Sequence, residues 1–258
     1  MASPAVVTTN ANSLTTPGTS YNMALPASIV ADNLLLAWVC VNVKDASTIV
    51  FPAGWNIIID DIALASPATS REVFAWKKAT GSEGATANLT QGTSTRWCAI
   101  TYQVSGALDP SIQVPQFATI VTGSSTSMNA GAVTPTGGTK EYLFIVLGAT
   151  PSASSVTVPT NYGGRLTITN ALDLQLHACS RQATVSSEDP GGWTISPTNP
   201  WMSTVVAIHP TGVSGSLSQT LGAVTLVAAG TVGSPPAPGG ARSPAMDGAW
   251  RGLLRGAR

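Results

Sequence analysis

The residues that could carry acid–base or metal chemistry are few. They are the histidines His177 and His209 and the adjacent carboxylate pairs Asp60-Asp61 and Glu188-Asp189. Glycoside cleavage needs two carboxylates that face one another, but neighbouring residues on a strand point to opposite faces of the sheet, so neither pair forms a dyad by itself. Two histidines without a third ligand at short spacing do not make a zinc site. We therefore expect no catalytic residue, no metal site and no cofactor.

Tryptophans are the other residues with binding chemistry, because the flat apolar face of an indole can stack on the C–H face of a sugar. The chain has seven of them. Trp38, Trp76 and Trp97 fall within strand patterns, so we expect them in the core. Trp55 and Trp193 each follow a glycine in a predicted loop, and we expect them to be more exposed and to be the stacking residues of any glycan site. A Gly-Trp pair at a strand start also commonly plugs the end of a sandwich, so both interpretations stay open.

Two apolar runs organise the elements around these residues. The run 33–43 (Asn-Leu-Leu-Leu-Ala-Trp-Val-Cys-Val-Asn-Val) suits a strand buried on both faces better than a surface helix, and 141–150 is a related run. After each run come a turn and strand, then an alternating strand, then a strand that begins with tryptophan. The last two kinds of strand are 73–77 and 97–104 in the first half, and 174–178 and 201–209 in the second. The pattern predicts two pseudo-repeats that together form one all-β sandwich of about eight short antiparallel strands.

The surface of this sandwich is expected to carry very little charge. The 258 residues include 12 basic and 12 acidic side chains, so the net charge is zero and charged residues make up 9%. Soluble domains average roughly 25%. An uncharged surface favours self-association, and a neutral chain has no long-range attraction for nucleic acid. We expect a homo-oligomer, a trimer, that does not bind nucleic acid.

The three cysteines and the hydropathy profile bear on the compartment. Cys40, Cys98 and Cys179 lie inside strand patterns, and their odd number and wide spacing favour buried thiols over a disulfide framework. The first twenty residues do not resemble a secretory signal, and no apolar stretch approaches the ~18 residues that cross a bilayer. We expect no membrane insertion, and assembly in a reducing bacterial cytoplasm.

Composition divides the chain into five regions. Residues 1–20 are a Thr/Ser/Asn-rich arm, 21–210 the sandwich, 211–232 a β-prone low-complexity assembly segment, 233–242 a Pro/Gly linker and 243–258 a short amphipathic helical tail. The assembly segment would need a neighbouring chain or the sandwich flank to bury its Leu and Val residues, and the helical tail is either covered by another surface or frayed. The residues expected to make assembly contacts are Leu221, Val224, Leu226, Met246, Trp250, Leu253 and Leu254.

Several segments resemble a jelly-roll domain that is common in structural proteins of tailed phages and prophages. The first is Phe-Pro-Ala-Gly-Trp at 51–55, and the others are 73–83, 97–102, 158–159, 191–193 and 201–208. The segment 217–226 is similar to short repeats that follow such domains in fibre and minor tail proteins. The resemblance implies an antiparallel jelly-roll sandwich in a tail-fibre, minor-tail or capsid-decorating protein. It carries no catalytic residues to transfer.

Three functions follow from these patterns. The first is a non-enzymatic virion protein of a phage tail or capsid that self-assembles with other virion proteins and displays a sandwich that could adhere to the host surface. The second is a carbohydrate-binding module of a bacterial surface or phage protein that holds a host glycan at Trp55 and Trp193. The third, a glycan-degrading enzyme, would need a carboxylate dyad assembled from distant loops.

Overall fold

The computed structural model describes residues 2–42, 48–62, 70–151, 154–170 and 174–212. These residues contain strands, turns and loops but no helix, which confirms the all-β prediction. Twelve strands are present in these ranges: β1 (Ala5–Ala24), β2 (Leu34–Asn42), β3 (Asn56–Ile62), β4 (Ser70–Lys78), β5 (Thr86–Ser105), β6 (Gln116–Phe117), β7 (Val121–Asn129), β8 (Lys140–Thr150), β9 (Ser155–Thr157), β10 (Gly163–Thr169), β11 (Gln175–Val185) and β12 (Gly192–Ile208).

The strands form two antiparallel sheets. The first has the order β1-β5-β2-β4-β3. The second contains β10-β11-β8-β12, and β6, β7 and β9 each pair with β12. Five strands of the second sheet lie in the order β7-β12-β8-β11-β10. Numbered along the chain, they have the same spatial order as the five strands of the first sheet. The predicted pseudo-repeat is therefore confirmed, and each repeat builds one sheet. The jelly-roll connectivity is not confirmed, because each sheet comes from one half of the chain.

The prediction that residues 1–20 form a separate N-terminal arm is wrong. Most of it belongs to β1, which pairs with β5 from Ala5↔Ser105 to Ala24↔Thr86. The prediction failed because β1 lies at the edge of its sheet, where paired backbone groups decide the structure and the Thr, Asn and Ser side chains can stay partly exposed.

Strand β1 bends so sharply that its second half lies against its first half. Asn12 Nδ2 donates to the carbonyl of Asn22 at 2.9 Å, and Asn12 Oδ1 accepts from the backbone nitrogen of Ala24 at 2.9 Å. Tyr21 Oη donates to the carbonyl of Asn12 at 2.6 Å. The second half of β1 and the first half of β5 consequently form a two-stranded ribbon that folds over the outer face of their own sheet.

The second repeat bends at the equivalent place. Each long strand, β5 and β12, has a bulge in its pairing with its partner, β1 or β7. Five residues of the long strand lie opposite two residues of the partner strand. The flanking pairs are Ser20↔Thr90 and Gly18↔Thr95 in the first repeat, and Ser127↔Thr194 and Ser125↔Asn199 in the second. This shared bulge aligns the two repeats residue by residue: Thr90 corresponds to Thr194, and Trp97 to Trp201.

Three apolar clusters follow from this layering. The two sheets pack face to face around residues such as Leu36, Phe74 and Ile145. A second cluster lies between the first sheet and its ribbon, and a third lies on the outer side of the second sheet. Because both faces of each sheet are covered, the central strands β2 and β8 are buried on both sides, as their apolar runs predict.

The C-terminal predictions lie almost entirely outside the described residues. Pro210 bridges Ala107, and the backbone nitrogen of Thr211 donates to the carbonyl of Gly106 at 2.9 Å. The rest of the assembly segment, the Pro/Gly linker and the terminal helix lie beyond Gly212. The seven predicted assembly residues, Leu221, Val224, Leu226, Met246, Trp250, Leu253 and Leu254, also lie there.

Candidate functional site

Trp55 is half-buried at the entrance to β3. Its ring is tilted against Phe51, with the ring centroids 5.7 Å apart at 44°, and both rings pack against the cluster between the first sheet and its ribbon. Only part of the indole is free to stack on a ligand.

Trp193 is fully buried, so the prediction that it is an exposed stacking residue is wrong. It lies in β12 rather than in a loop, pairs with Met128, and has no exposed surface. The preceding glycines suggested a loop, but the ribbon of the second repeat covers this side chain. Its correspondence to the buried Leu89 of the first repeat is the signal that could have placed it inside.

His177 has a structural environment. It is fully buried, its Nε2 lies 3.3 Å from Thr150 Oγ1, and its Nδ1 lies 3.3 Å from Thr167 Oγ1. Burial, with a smaller contribution from the positive charge of Arg165, lowers the pKa of His177 to about 3. A neutral imidazole held between two hydroxyls fits a core residue.

His209 is likewise held by its neighbours. Its Nε2 lies 2.9 Å from Gln116 Oε1, and its ring meets the ring of Tyr142 edge-on at 5.2 Å. Burial, assisted by Lys140, lowers the pKa of His209. Both histidines therefore have neutral polar or aromatic partners.

The two carboxylate pairs do not form a dyad. Asp60 receives a bidentate ion pair from Arg71, with nitrogen–oxygen distances of 2.6 and 2.7 Å. Glu188, predicted to be at a loop tip, is buried, and its Oε1 accepts from Arg181 Nη1 at 2.8 Å and from Tyr162 Oη at 2.9 Å. These carboxylates join neighbouring strands and loops. In the described ranges, no three His, Cys, Asp or Glu side chains come together as metal ligands.

Glu72 is a buried carboxyl that no sequence pattern indicates. Its Oε2 accepts from Trp38 Nε1 at 3.2 Å, and its Oε1 lies 3.6 Å from Cys40 Sγ, inside the sandwich. Burial raises the pKa of Glu72 to about 8, although the bonds from Cys40 and Trp38 act in the opposite direction. The side chain is only 2% exposed, so the protonated acid acts as a polar core group.

An open surface groove of about 430 Å³ lies at the edge of the first ribbon. Its lining residues are all uncharged: Thr48, Val50, Thr90, Gln91 and Gly92. Gln91 is 5% exposed, and neither its side-chain nitrogen nor its oxygen has a hydrogen-bond partner. A buried amide without partners is uncommon in native proteins. The amide atoms of Gln91 have no accessible surface, so they do not face this groove.

No family model, curated protein or solved structure matches this chain. Among the described residues, no helix is long and apolar enough to span a membrane.

Proposed function

We propose that this chain is a non-enzymatic structural protein of a phage particle, of the tail-fibre, minor-tail or capsid-decorating kind, that associates with copies of itself and with other virion proteins. The sequence resemblance supports the virion assignment. The low charge and the repeated two-sheet body support a structural role.

The observation that carries the self-association is an exposed apolar stretch between the two repeats. Ile112, Val114 and Phe117 are 74%, 43% and 40% exposed, within six residues of one another. The same connection carries Gly106, whose carbonyl bonds Thr211 at the end of the described chain. Apolar residues grouped on a surface mark association sites more often than isolated ones do.

Electron microscopy with a gold-labelled antibody tests the virion assignment. Phage particles produced by a cell that encodes this chain should carry label at one defined place on the tail or capsid. The number of gold particles at that place then indicates copy number. Purified particles that carry no label, while the antibody detects the chain in the cell lysate, would contradict the proposal.

A second function, glycan binding at Trp55, is favoured by the partly exposed indole beside Phe51. Trp55→Ala should weaken retention on a glycan column and lower the melting temperature much less than Trp193→Ala does. A large fall in the melting temperature would instead show that the ring is a core residue.

A further inference from the structure

The connection between the two repeats has an open strand edge beside its exposed apolar side chains. Strand β6 pairs with β12 on one side, and no strand of the described chain pairs with its other side. Phe117 belongs to β6, and the exposed residues Ile112 and Val114 come shortly before it. An open edge offers backbone N–H and C=O groups to a further strand, and neighbouring apolar side chains add burial to that pairing.

Contacts within the described chain hold this surface in shape. Gln116 Oε1 lies 2.9 Å from His209 Nε2 and accepts from the backbone nitrogen of Thr136 at 2.8 Å. The turn before β6 is closed by the backbone nitrogen of Ile112, which donates to the carbonyl of Asp109 at 2.9 Å. A preformed surface loses less conformational entropy when it binds a partner, so this connection is suited to binding.

The surface and the segment that follows the described chain are both uncharged. Residues 110–139 include no acidic or basic side chain, and Asp109, just before them, is paired with Lys78 Nζ at 2.8 Å. Residues 213–241 also include no acidic or basic side chain. The apolar residues of this segment include Leu217, Leu221, Val224 and Leu226. The two stretches can therefore meet without removing a charge from water, which is the costly step in burying polar surfaces.

The described chain ends near this surface but leads away from it. Strand β12 pairs with Phe117 at Val206, and further along the chain the backbone nitrogen of Thr211 donates to the carbonyl of Gly106 at 2.9 Å. At ~3.3 Å per residue of extended chain, Thr211 lies roughly 16 Å beyond the level of Phe117. The following segment would have to reverse its direction to reach β6 of its own chain, whereas the same segment of a neighbouring copy needs no reversal.

We propose that residues 217–226 of one copy bind along β6 of a second copy and cover Ile112, Val114 and Phe117. This contact rests on the self-association in the proposed function, and it identifies the two surfaces that meet. Each copy contributes a segment to one neighbour and a receiving surface to another, so the contact is heterologous. Contacts of this kind form a closed ring when the rotation between successive copies closes, which suits an oligomer of defined size.

The test uses two full-length variants that each lack one half of the contact. The surface variant is Ile112→Ser/Val114→Ser, and the segment variant is Leu221→Ser/Leu226→Ser. Each should sediment as a monomer by itself. An equimolar mixture should form a complex with one copy of each variant, because the intact segment of the surface variant binds the intact surface of the segment variant. A fluorescent label on the surface variant shows in sedimentation velocity that both are present.

The matched control is Val30→Ser, which changes an exposed apolar residue outside the connection and should sediment as the wild type does. The proposal is overturned if the segment variant keeps the wild-type oligomer, since the exposed surface would then bind another copy of itself. It is also overturned if the wild type is oligomeric but the mixture stays monomeric, in which case the self-association itself still stands. A monomeric wild type would contradict both the self-association and this contact.

Discussion

Trp97 and Trp201 occupy the same place in two copies of one structural unit. The indole nitrogen of Trp97 donates to the carbonyl of Gly18 at 3.1 Å, and that of Trp201 donates to Ser125 Oγ at 3.0 Å. Gly18 and Ser125 are themselves equivalent, because both pair with the residue that ends the bulge. Each tryptophan thus holds the bend at which its ribbon turns over its sheet.

Gly148→Ala tests this layering in the second repeat. A Cβ on Gly148 would clash with Met128 Cε and lie 2.7 Å from Met128 Sδ, because the ribbon residue Met128 lies directly over the central strand β8. Overpacking of this kind costs typically about 1–3 kcal/mol of unfolding free energy. Urea unfolding measures the change.

The control for this variant is Gly163→Ala, whose added Cβ meets nothing within 4 Å and should be close to neutral. The double variant Gly148→Ala/Met128→Ala removes the clash. Its loss of unfolding free energy should therefore be smaller than the sum of the losses in the two single variants. Strict additivity would mean that Met128 does not cover Gly148.

Glu72→Gln should remove a pH-dependent loss of stability. The unfolded chain releases the Glu72 proton near pH 4.5, whereas the folded state holds it up to about pH 8. The stabilisation from this group is therefore fully present below pH 4.5 and is lost as the pH rises through about 8. The glutamine variant should be more stable than the wild type above that pH by at least about 1 kcal/mol, as measured by urea unfolding across the pH range.

Asp189→Asn, at an exposed loop carboxylate, is the matched control, and its stability above pH 8 should stay close to that of the wild type. The variant Glu72→Leu installs the residue of the second repeat, since the register of β2 with β4 and of β8 with β11 aligns Glu72 with the buried Leu176. If the wild type and Glu72→Gln lose stability in parallel as the pH rises, Glu72 is not the titrating group.

Trp193→Ala and Trp55→Ala should differ in their effects on stability. Trp193 is fully buried in the outer cluster of the second sheet, so its truncation should cost about 3–5 kcal/mol. Trp55 is half-buried, and its truncation should cost less than half as much. Thermal unfolding of both variants checks the order, and equal losses would contradict the assignment of their environments.

The sequence was informative wherever the signal is local. The apolar runs 33–43 and 141–150 predict the central strands, and the tryptophans at 97 and 201 mark equivalent strands, because burial on both faces leaves a continuous apolar pattern. The two pseudo-repeats could be predicted from the same apolar runs and tryptophans.

Features that depend on distant pairing could not be predicted. Strand β1 resembles a polar arm because its structure depends on β5, about eighty residues away by register. Trp193 follows two glycines, so its local sequence resembles a loop. Its burial depends on the ribbon of the second repeat, which covers it. The burial of Gln91 can be expected only when both repeats are aligned by their shared bulge, which matches it with Ile195, since a single glutamine carries no signal of its own.

Sedimentation velocity on the full chain measures self-association. We expect a stable oligomer for the full chain. A smaller species is expected for Ile112→Ser/Val114→Ser and for a chain that ends at Gly212, which keeps the hydrogen bond from Thr211 to Gly106. A full-length chain that sediments as a monomer at all concentrations would contradict the account.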